Sequence, residues 1–285
     1  MTNESINNRP TFPQDGLQLA EACRIAQDIA INAGAILVQM RSTFELREKS
    51  EKDLVTDADV AAQVAIASAI ARHFPEHGFL GEEGSAGVSQ KQRDNNSNSR
   101  WKWVVDPLDG TTNYAHGLSQ FGVSLALTYD LQPVLGVVYD PVAQECYSAV
   151  DGQGAQLNGT PLKTSGCTHL SKALVAASFP PKLNRDAKEI QQFVEMLLES
   201  RSLRRLGSAA LNLCYVAAGR LDGYWGGRLN AWDIAAGVLI LQESKGEISG
   251  QSGGKIDIWR GDLIAAATAS LHQQMLSVLS RISTN

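Results

Sequence analysis

The chain has 285 residues, with 25 Lys and Arg against 30 Asp and Glu, a net charge of -5, 44% hydrophobic residues and 4 cysteines. That length accommodates one large domain or two joined lobes around a sizeable core, and the apolar content excludes a disordered chain. The acidic balance lacks the basic face of a nucleic-acid binder, and no apolar run is long enough for a membrane-spanning helix.

The segment Met1 to Gln14 is polar and lacks the apolar stretch of a secretory signal, so a cytoplasmic protein with no nucleic-acid or membrane partner is expected, with residues 1–14 as a flexible tail. Cys23, Cys146, Cys167 and Cys214 lie far apart with no C-x-x-C pair, which predicts reduced, mostly buried thiols instead of a disulfide framework or zinc site. From Leu17 to Met40 apolar residues recur at helical spacing, and Thr56 or Asp57 can cap a second helix that runs to Ala71 and stops at His73-Phe74-Pro75. Gly78-Phe79-Leu80 is strand-like. The stretch Ser85 to Arg100 has almost no apolar content and reads as a mobile surface loop.

Short β-type runs follow at Trp101 to Val105, Phe121 to Tyr129, Val134 to Tyr139 and Glu145 to Val150, which predict an antiparallel sheet. Beyond about residue 160, strand-like Ala173 to Ser178 and Leu263 to Thr268 alternate with helical Asp186 to Ser200, Ser208 to Ala218, Trp232 to Ser244 and Leu271 to Ile282. Alternation of this kind implies a second α/β lobe. The expected architecture is therefore α/β: an N-terminal α+β lobe over 15–155 and a C-terminal α/β lobe over 156–285.

The segment W-V-V-D-P-L-D-G-T-T-N at 103 to 113 is an apolar strand that ends in two carboxylates around a proline, which is expected to stop the ladder. Asp106 and Asp109 then sit close together and repel unless one is protonated or a cation lies between them. Candidate ligands nearby are all oxygens, which suits a hard ion such as Mg²⁺. Gly110-Thr111-Thr112 offers backbone N–H groups and hydroxyls suited to a phosphate. Gly81-Glu82-Glu83-Gly84 supplies further carboxylates, and Asp233 stands at the positive start of an apolar helix.

Together with D-L-V-T-D-A-D at 53 to 59, G-S-A-A at 207 to 210 and A-W-D-I-A-A-G at 231 to 237, these segments resemble the inositol monophosphatase family of Mg²⁺-dependent, lithium-sensitive phosphomonoesterases. The resemblance runs from about residue 17 to about residue 280. It implies a layered αβαβα sandwich, a homodimer, and hydrolysis of a small phosphate monoester by in-line attack of water. Myo-inositol monophosphate is the first substrate candidate. The same resemblance makes Glu82, Asp106, the Leu108 carbonyl, Asp109 and Asp233 the metal ligands, and Glu82, Thr111 and Asp59 the catalytic groups. Substrate contacts are implied at Glu82, Leu108, Asp109, Gly110, Thr111, Gly207, Ser208, Ala209 and Asp233.

Two positions depart from the pattern or leave it open. Gly226 stands where inositol-specific members carry a Glu that binds ring hydroxyls, so histidinol phosphate, a nucleotide 3'-phosphate or a sugar phosphate are alternatives, with room at Gly226 for a larger leaving group and Arg228 or Asn230 as substitutes for the Glu. Either Lys49 or Lys52 matches a lysine that approaches the site. A non-catalytic regulatory protein on the same fold is the reading from another class.

Overall fold

The computed structural model describes residues 19–282 except 51, 52 and 181, so the expected tail lies outside the described residues. Helix α1 (Leu19–Met40) buries Ala22, Ala26, Ile29, Ala33 and Leu37 along one stripe. Gly34 on that stripe lies against the Tyr139 ring, where an added Cβ would stand only 2.7 Å away, so the missing side chain sets how closely α1 packs. A hairpin of β1 (Leu46–Ser50) and β2 (Asp53–Thr56) leads into α2 (Asp57–His73). Thr56 caps that helix in a reciprocal box with Asp59, and the helix ends at Phe74, before Pro75. Lys52 lies outside the described residues, as does the side chain of Lys49.

After β3 (Gly78–Gly81), the segment expected to be a mobile loop contains a helix, α3 (Gln90–Asn98), capped by Ser89 and Gln92. Polar side chains order it where apolar ones are lacking. Buried Gln92 donates to the Ala67 carbonyl at 3.1 Å. The Asn96 amide accepts from Phe79 N–H at 2.8 Å and donates to Phe79 O at 2.7 Å, replacing a neighbouring strand on the β3 edge.

Then come β4 (Trp101–Asp109), the short α4 (Thr111–Ala115), β5 (Gly122–Tyr129), β6 (Gln132–Asp140), β7 (Glu145–Val150), β8 (Gly154–Leu157) and β9 (Thr160–Pro161). Strands β3 to β9 form a seven-stranded sheet in sequence order, antiparallel except for the parallel pair β3 and β4. The second half supplies β10 (Leu174–Ser178), α5 (Lys188–Glu199), β11 (Ser202–Arg204), α6 (Ala209–Ala217), β12 (Gly223–Gly226), α7 (Ala231–Glu243), β13 (Glu247–Ser249), β14 (Leu263–Ala266) and α8 (Ala269–Ser280). Its five strands lie in the order β11-β10-β12-β14-β13, parallel among β10, β11 and β12 and antiparallel around β14.

Three buried clusters define the layers. One joins α1 and α2 to a face of the large sheet, the second joins its other face to α6, α7 and the small sheet, and the third lies between the small sheet and α8. The result is the αβαβα sandwich. Helix α7 lies so close on β6 that a Cβ at Gly136 would be 2.7 Å from the Ala236 carbonyl. The four cysteines are free, with Cys167 alone partly exposed. Buried His77 accepts from Trp103 Nε1 at 3.1 Å, and burial pushes its pKa down to about 4, so it serves as a neutral acceptor in the core. Among the described residues no helix is long and apolar enough to cross a membrane.

Candidate functional site

Strand β4 does not stop at Pro107, contrary to the expectation. Asp106 pairs with Ser124 and Asp109 with Gly122, so Pro107 and Leu108 together stand opposite Val123 in a bulge. A bulge tolerates the missing proline N–H and lets the ladder resume. Inside it, Leu108 N–H donates to Asp106 Oδ1 at 2.9 Å, and the Leu108 carbonyl accepts from Thr111 Oγ1 at 3.1 Å. Gly110 turns the chain into α4 with φ of 101°, and a Cβ there would meet the Gln120 carbonyl at 2.9 Å. Both facts require glycine.

Asp59 approaches from the first turn of α2 and is fully buried. Its Oδ2 accepts from Thr56 N–H at 2.8 Å and Thr56 Oγ1 at 2.6 Å, while its Oδ1 accepts from Thr111 Oγ1 at 3.2 Å. The expected pairing of Asp59 with Thr111 is thus present as geometry. Burial pushes Asp59 up to about 6, against the Thr56 hydrogen bonds and with a further push from Glu83 and Glu82.

Asp109 meets the start of α6. Ser208 Oγ donates to its Oδ2 at 2.5 Å, Ala210 N–H to Oδ2 at 2.7 Å and Ala209 N–H to Oδ1 at 3.2 Å. The carboxylate therefore serves as an anion at a helix N-terminus, and the N–H of Ala209, a residue expected to touch substrate, is engaged by the protein itself. Ser208 also caps the helix, accepting from Leu211 N–H at 3.2 Å. Asp233, in the first turn of α7, accepts from Asn230 N–H at 2.7 Å. Glu82 follows β3, its N–H donating to the Val105 carbonyl at 3.1 Å, beside Asp106.

These acids press on one another. Burial, then the charges of Glu82, Asp109 and Asp233, hold Asp106 well above the usual carboxylate range. Burial raises Asp109 to about 6 despite the donors of Ser208 and α6. Burial and Asp109 raise Asp233 to about 8, opposed by Asn230. No leading influence on these three groups is a cation.

Among the described residues no three His, Cys, Asp or Glu side chains close into a cage that holds a metal ion by itself. An oxygen-only set of carboxyl donors in which burial disfavours uncompensated negative charge suits Mg²⁺ nonetheless, because that ion keeps several waters and takes only one or two carboxylates. Asp109 has lone pairs beyond those used by Ser208 and the two alanines, and the Leu108 carbonyl has one beyond Thr111.

Three residues at the site were not singled out in the sequence. Asn113 Nδ2 donates to Gln120 O at 2.6 Å and to Leu206 O at 2.7 Å, tying α4 to the loop that carries Gly207 and Ser208. Gly207, at φ of 88°, lies on that amide, with an added Cβ 2.7 Å from Nδ2. Gln63 holds the turn around Glu82, and Tyr224 stands buried beside Gly226. Gln63 carried a signal, an amide in the apolar stripe of α2; Asn113 sat within the quoted segment.

The expected room at Gly226 is absent. A Cβ there would lie 2.5 Å from Leu229 Cδ1 and 3.1 Å from Tyr224 OH, so the space is already filled. Neither proposed substitute is uncommitted, since Arg228 pairs with Glu189 at 2.8 Å and Asn230 caps α7.

The model of the inositol monophosphatase family matches residues 18–284. The chain belongs to the inositol monophosphatase family. Inositol monophosphatase 1 of Solanum lycopersicum is 36% identical over 269 residues, covering 92% of this chain and 95% of that protein. Nus factor SuhB of Pseudomonas aeruginosa is 37% identical over 250 residues, covering 86% and 90%. Among solved structures, inositol monophosphatase from Anabaena superposes with a TM-score of 0.80 at 33% identity, covering 94% of this chain and 98% of that one. Family membership thus supports phosphatase chemistry, while one close relative bears a name that is not that of a phosphatase.

Proposed function

We propose that this chain is a Mg²⁺-dependent phosphomonoesterase that hydrolyses a small phosphate monoester, with myo-inositol monophosphate as the first candidate substrate. The observation that carries this reading is the meeting of Asp106, Asp109 and Asp233, all raised by burial and Asp106 and Asp233 also by neighbouring acids, beside the hydrogen-bonded pair Thr111 and Asp59. Glu82, Asp106, the Leu108 carbonyl, Asp109 and Asp233 would hold the metal. When bound, Mg²⁺ supplies the positive charge that offsets the phosphoryl oxygens and the leaving alkoxide, and it acidifies water.

The rest is done by the chain. Asp59, ionised at neutral pH, takes the hydrogen of Thr111 Oγ1, which leaves the hydroxyl lone pairs to orient an attacking water toward phosphorus. Gly110 and Thr111, at the start of α4, offer N–H groups to the phosphate, and the leaving group lies between the 15–155 and 156–285 lobes near Gly207 and Ser208. With Leu229 and Tyr224 filling the space at Gly226, one ring-hydroxyl contact is lost, worth ~1–3 kcal/mol. Histidinol phosphate, a nucleotide 3'-phosphate or a sugar phosphate therefore stand as alternatives.

Phosphate release from that panel, each with Mg²⁺ and with EDTA, tests the reading; no metal-dependent release from any compound refutes it. The likeness to a protein named Nus factor SuhB favours a second, regulatory reading. RNA retained in a salt-dependent way, without phosphate release, would establish that reading in place of the first. Lithium inhibition and a homodimer complete the proposal, measured by inhibition kinetics and light scattering.

A further inference from the structure

Gln63 lies one helical turn beyond Asp59 on the same face of α2, and both side chains are fully enclosed. Asp59 faces Thr111, whereas Gln63 faces the turn after β3. Its Oε1 accepts from Glu83 N–H at 2.9 Å. Its Nε2 donates to the Ala86 carbonyl at 3.0 Å and to the Gly84 carbonyl at 3.4 Å. A Cβ on Gly81 would fall inside contact distance of the same Oε1, so the residue before Glu82 is glycine because the amide occupies its side-chain space.

One planar group thus holds the backbone just after Glu82 by hydrogen bonds and packs against Gly81 just before it. The N–H of Glu83 needs an acceptor, and the carbonyls of Ala86 and Gly84 need a donor. A glutamine supplies both, a glutamate only the acceptor, and an aliphatic chain neither.

We propose that Gln63 is a positioning residue that sets Glu82 in register with Asp59 and Thr111, and so tunes the affinity of the site for a divalent cation. The proposal rests on the Mg²⁺ reading above. Helix α2 acts as a common support: its first turn carries Asp59 and its second carries Gln63, so both sides of the site are referred to one rigid element.

The test is Mg²⁺ titration calorimetry on the full chain, beside kcat and KM measured over a range of Mg²⁺ concentrations. Gln63→Met removes every bond, and the isosteric Gln63→Glu keeps only the acceptor and remains testable if the first variant fails to fold. Both are expected to bind Mg²⁺ about 10-fold or more weakly, the usual effect of losing an outer partner of a ligand. Turnover should recover in large part at high Mg²⁺. Gln92→Met is the control, since it removes an equally buried amide on α3 away from the acids. It should lower the melting temperature and leave Mg²⁺ affinity unchanged.

Wild-type Mg²⁺ affinity in both Gln63 variants, or equal weakening in Gln92→Met, would overturn the assignment alone. A wild-type protein that binds no Mg²⁺ would overturn the metal reading and the assignment with it.

Discussion

Replacing Asp59 by Asn should stabilise the metal-free protein at neutral pH while it removes activity. Asp59 is fully buried and its carboxyl is raised to about 6 from the usual 3.8, so folding works against its ionisation. A raised acid carries no penalty below the unfolded value, a growing one between about 4 and 6, and the full penalty above the folded value. At pH 7.5 the shift of roughly two units corresponds to ~3 kcal/mol, and at pH 4.5 to ~1 kcal/mol.

The amide can keep the hydrogen bonds. Its oxygen takes the place of Oδ2 and accepts from Thr56, while its nitrogen donates to Thr111 Oγ1, whose hydrogen turns to the Leu108 carbonyl at 3.1 Å. The value of about 6 already includes the Thr56 bonds, but an NH2 group is an imperfect substitute for the O–H of the neutral acid in a packed site, at a cost of about 1–2 kcal/mol. The net expectation is a gain of about 1–2 kcal/mol at pH 7.5 that vanishes or reverses by pH 4.5, read by urea denaturation in EDTA. Turnover should fall, because the amide now takes one of the two Thr111 lone pairs that orient the attacking water. A variant less stable than wild type at pH 7.5, or a difference that does not change with pH, would refute this electrostatic picture.

Asp106→Asn should lower turnover by several orders of magnitude at saturating Mg²⁺, and steady-state kinetics at near wild-type rate would contradict the central place given to that carboxylate. Ser208→Ala removes both the 2.5 Å bond to Asp109 and the cap on α6, so chemical denaturation should show a loss of roughly 2–4 kcal/mol. That loss should be greater at pH 8 than at pH 5, since the bond serves the ionised form of a group at about 6. Mg²⁺ should raise the melting temperature at pH 7.5, and the rise should fade toward pH 5 as protons take its place on Asp106, Asp109 and Asp233; scanning fluorimetry that shows an equal rise at both values would count against these ligands. Gly110→Ala forces an αL conformation on a side chain 2.9 Å from a carbonyl, and should cost about 2 kcal/mol or more by thermal unfolding.

Much of this molecule is readable in one dimension. The stripe of α1, the Thr56 cap and the apolar run leading into Asp106 follow from periodicity and local chemistry, and the order of acidic segments along the chain carried the family. Geometry supplied what local pattern could not. The bulge at Pro107 depends on pairing with Val123, far along the chain. Helix α3 depends on Asn96 reaching the β3 edge, a long-range contact invisible to a window that counts apolar residues. Strands β11, β12 and β13 are three or four residues long, too short for alternation to show. The occupancy of the space at Gly226 depends on Leu229 turning back toward the strand.

The Asn113 amide has a consequence for how activity is lost. It joins α4, which follows a strand of the large sheet, to Leu206 in the loop after a strand of the small one, and Asp109 crosses the same divide to reach Ser208. The centre is therefore complete only while both halves of the chain are docked. Any subglobal opening that parts α6 from the large sheet takes Ser208 away from Asp109, even while the first and third buried clusters stay protected from hydrogen exchange. Inactivation on warming should therefore precede unfolding, and turnover becomes a more sensitive reporter of layer docking than any spectroscopic measure of secondary structure.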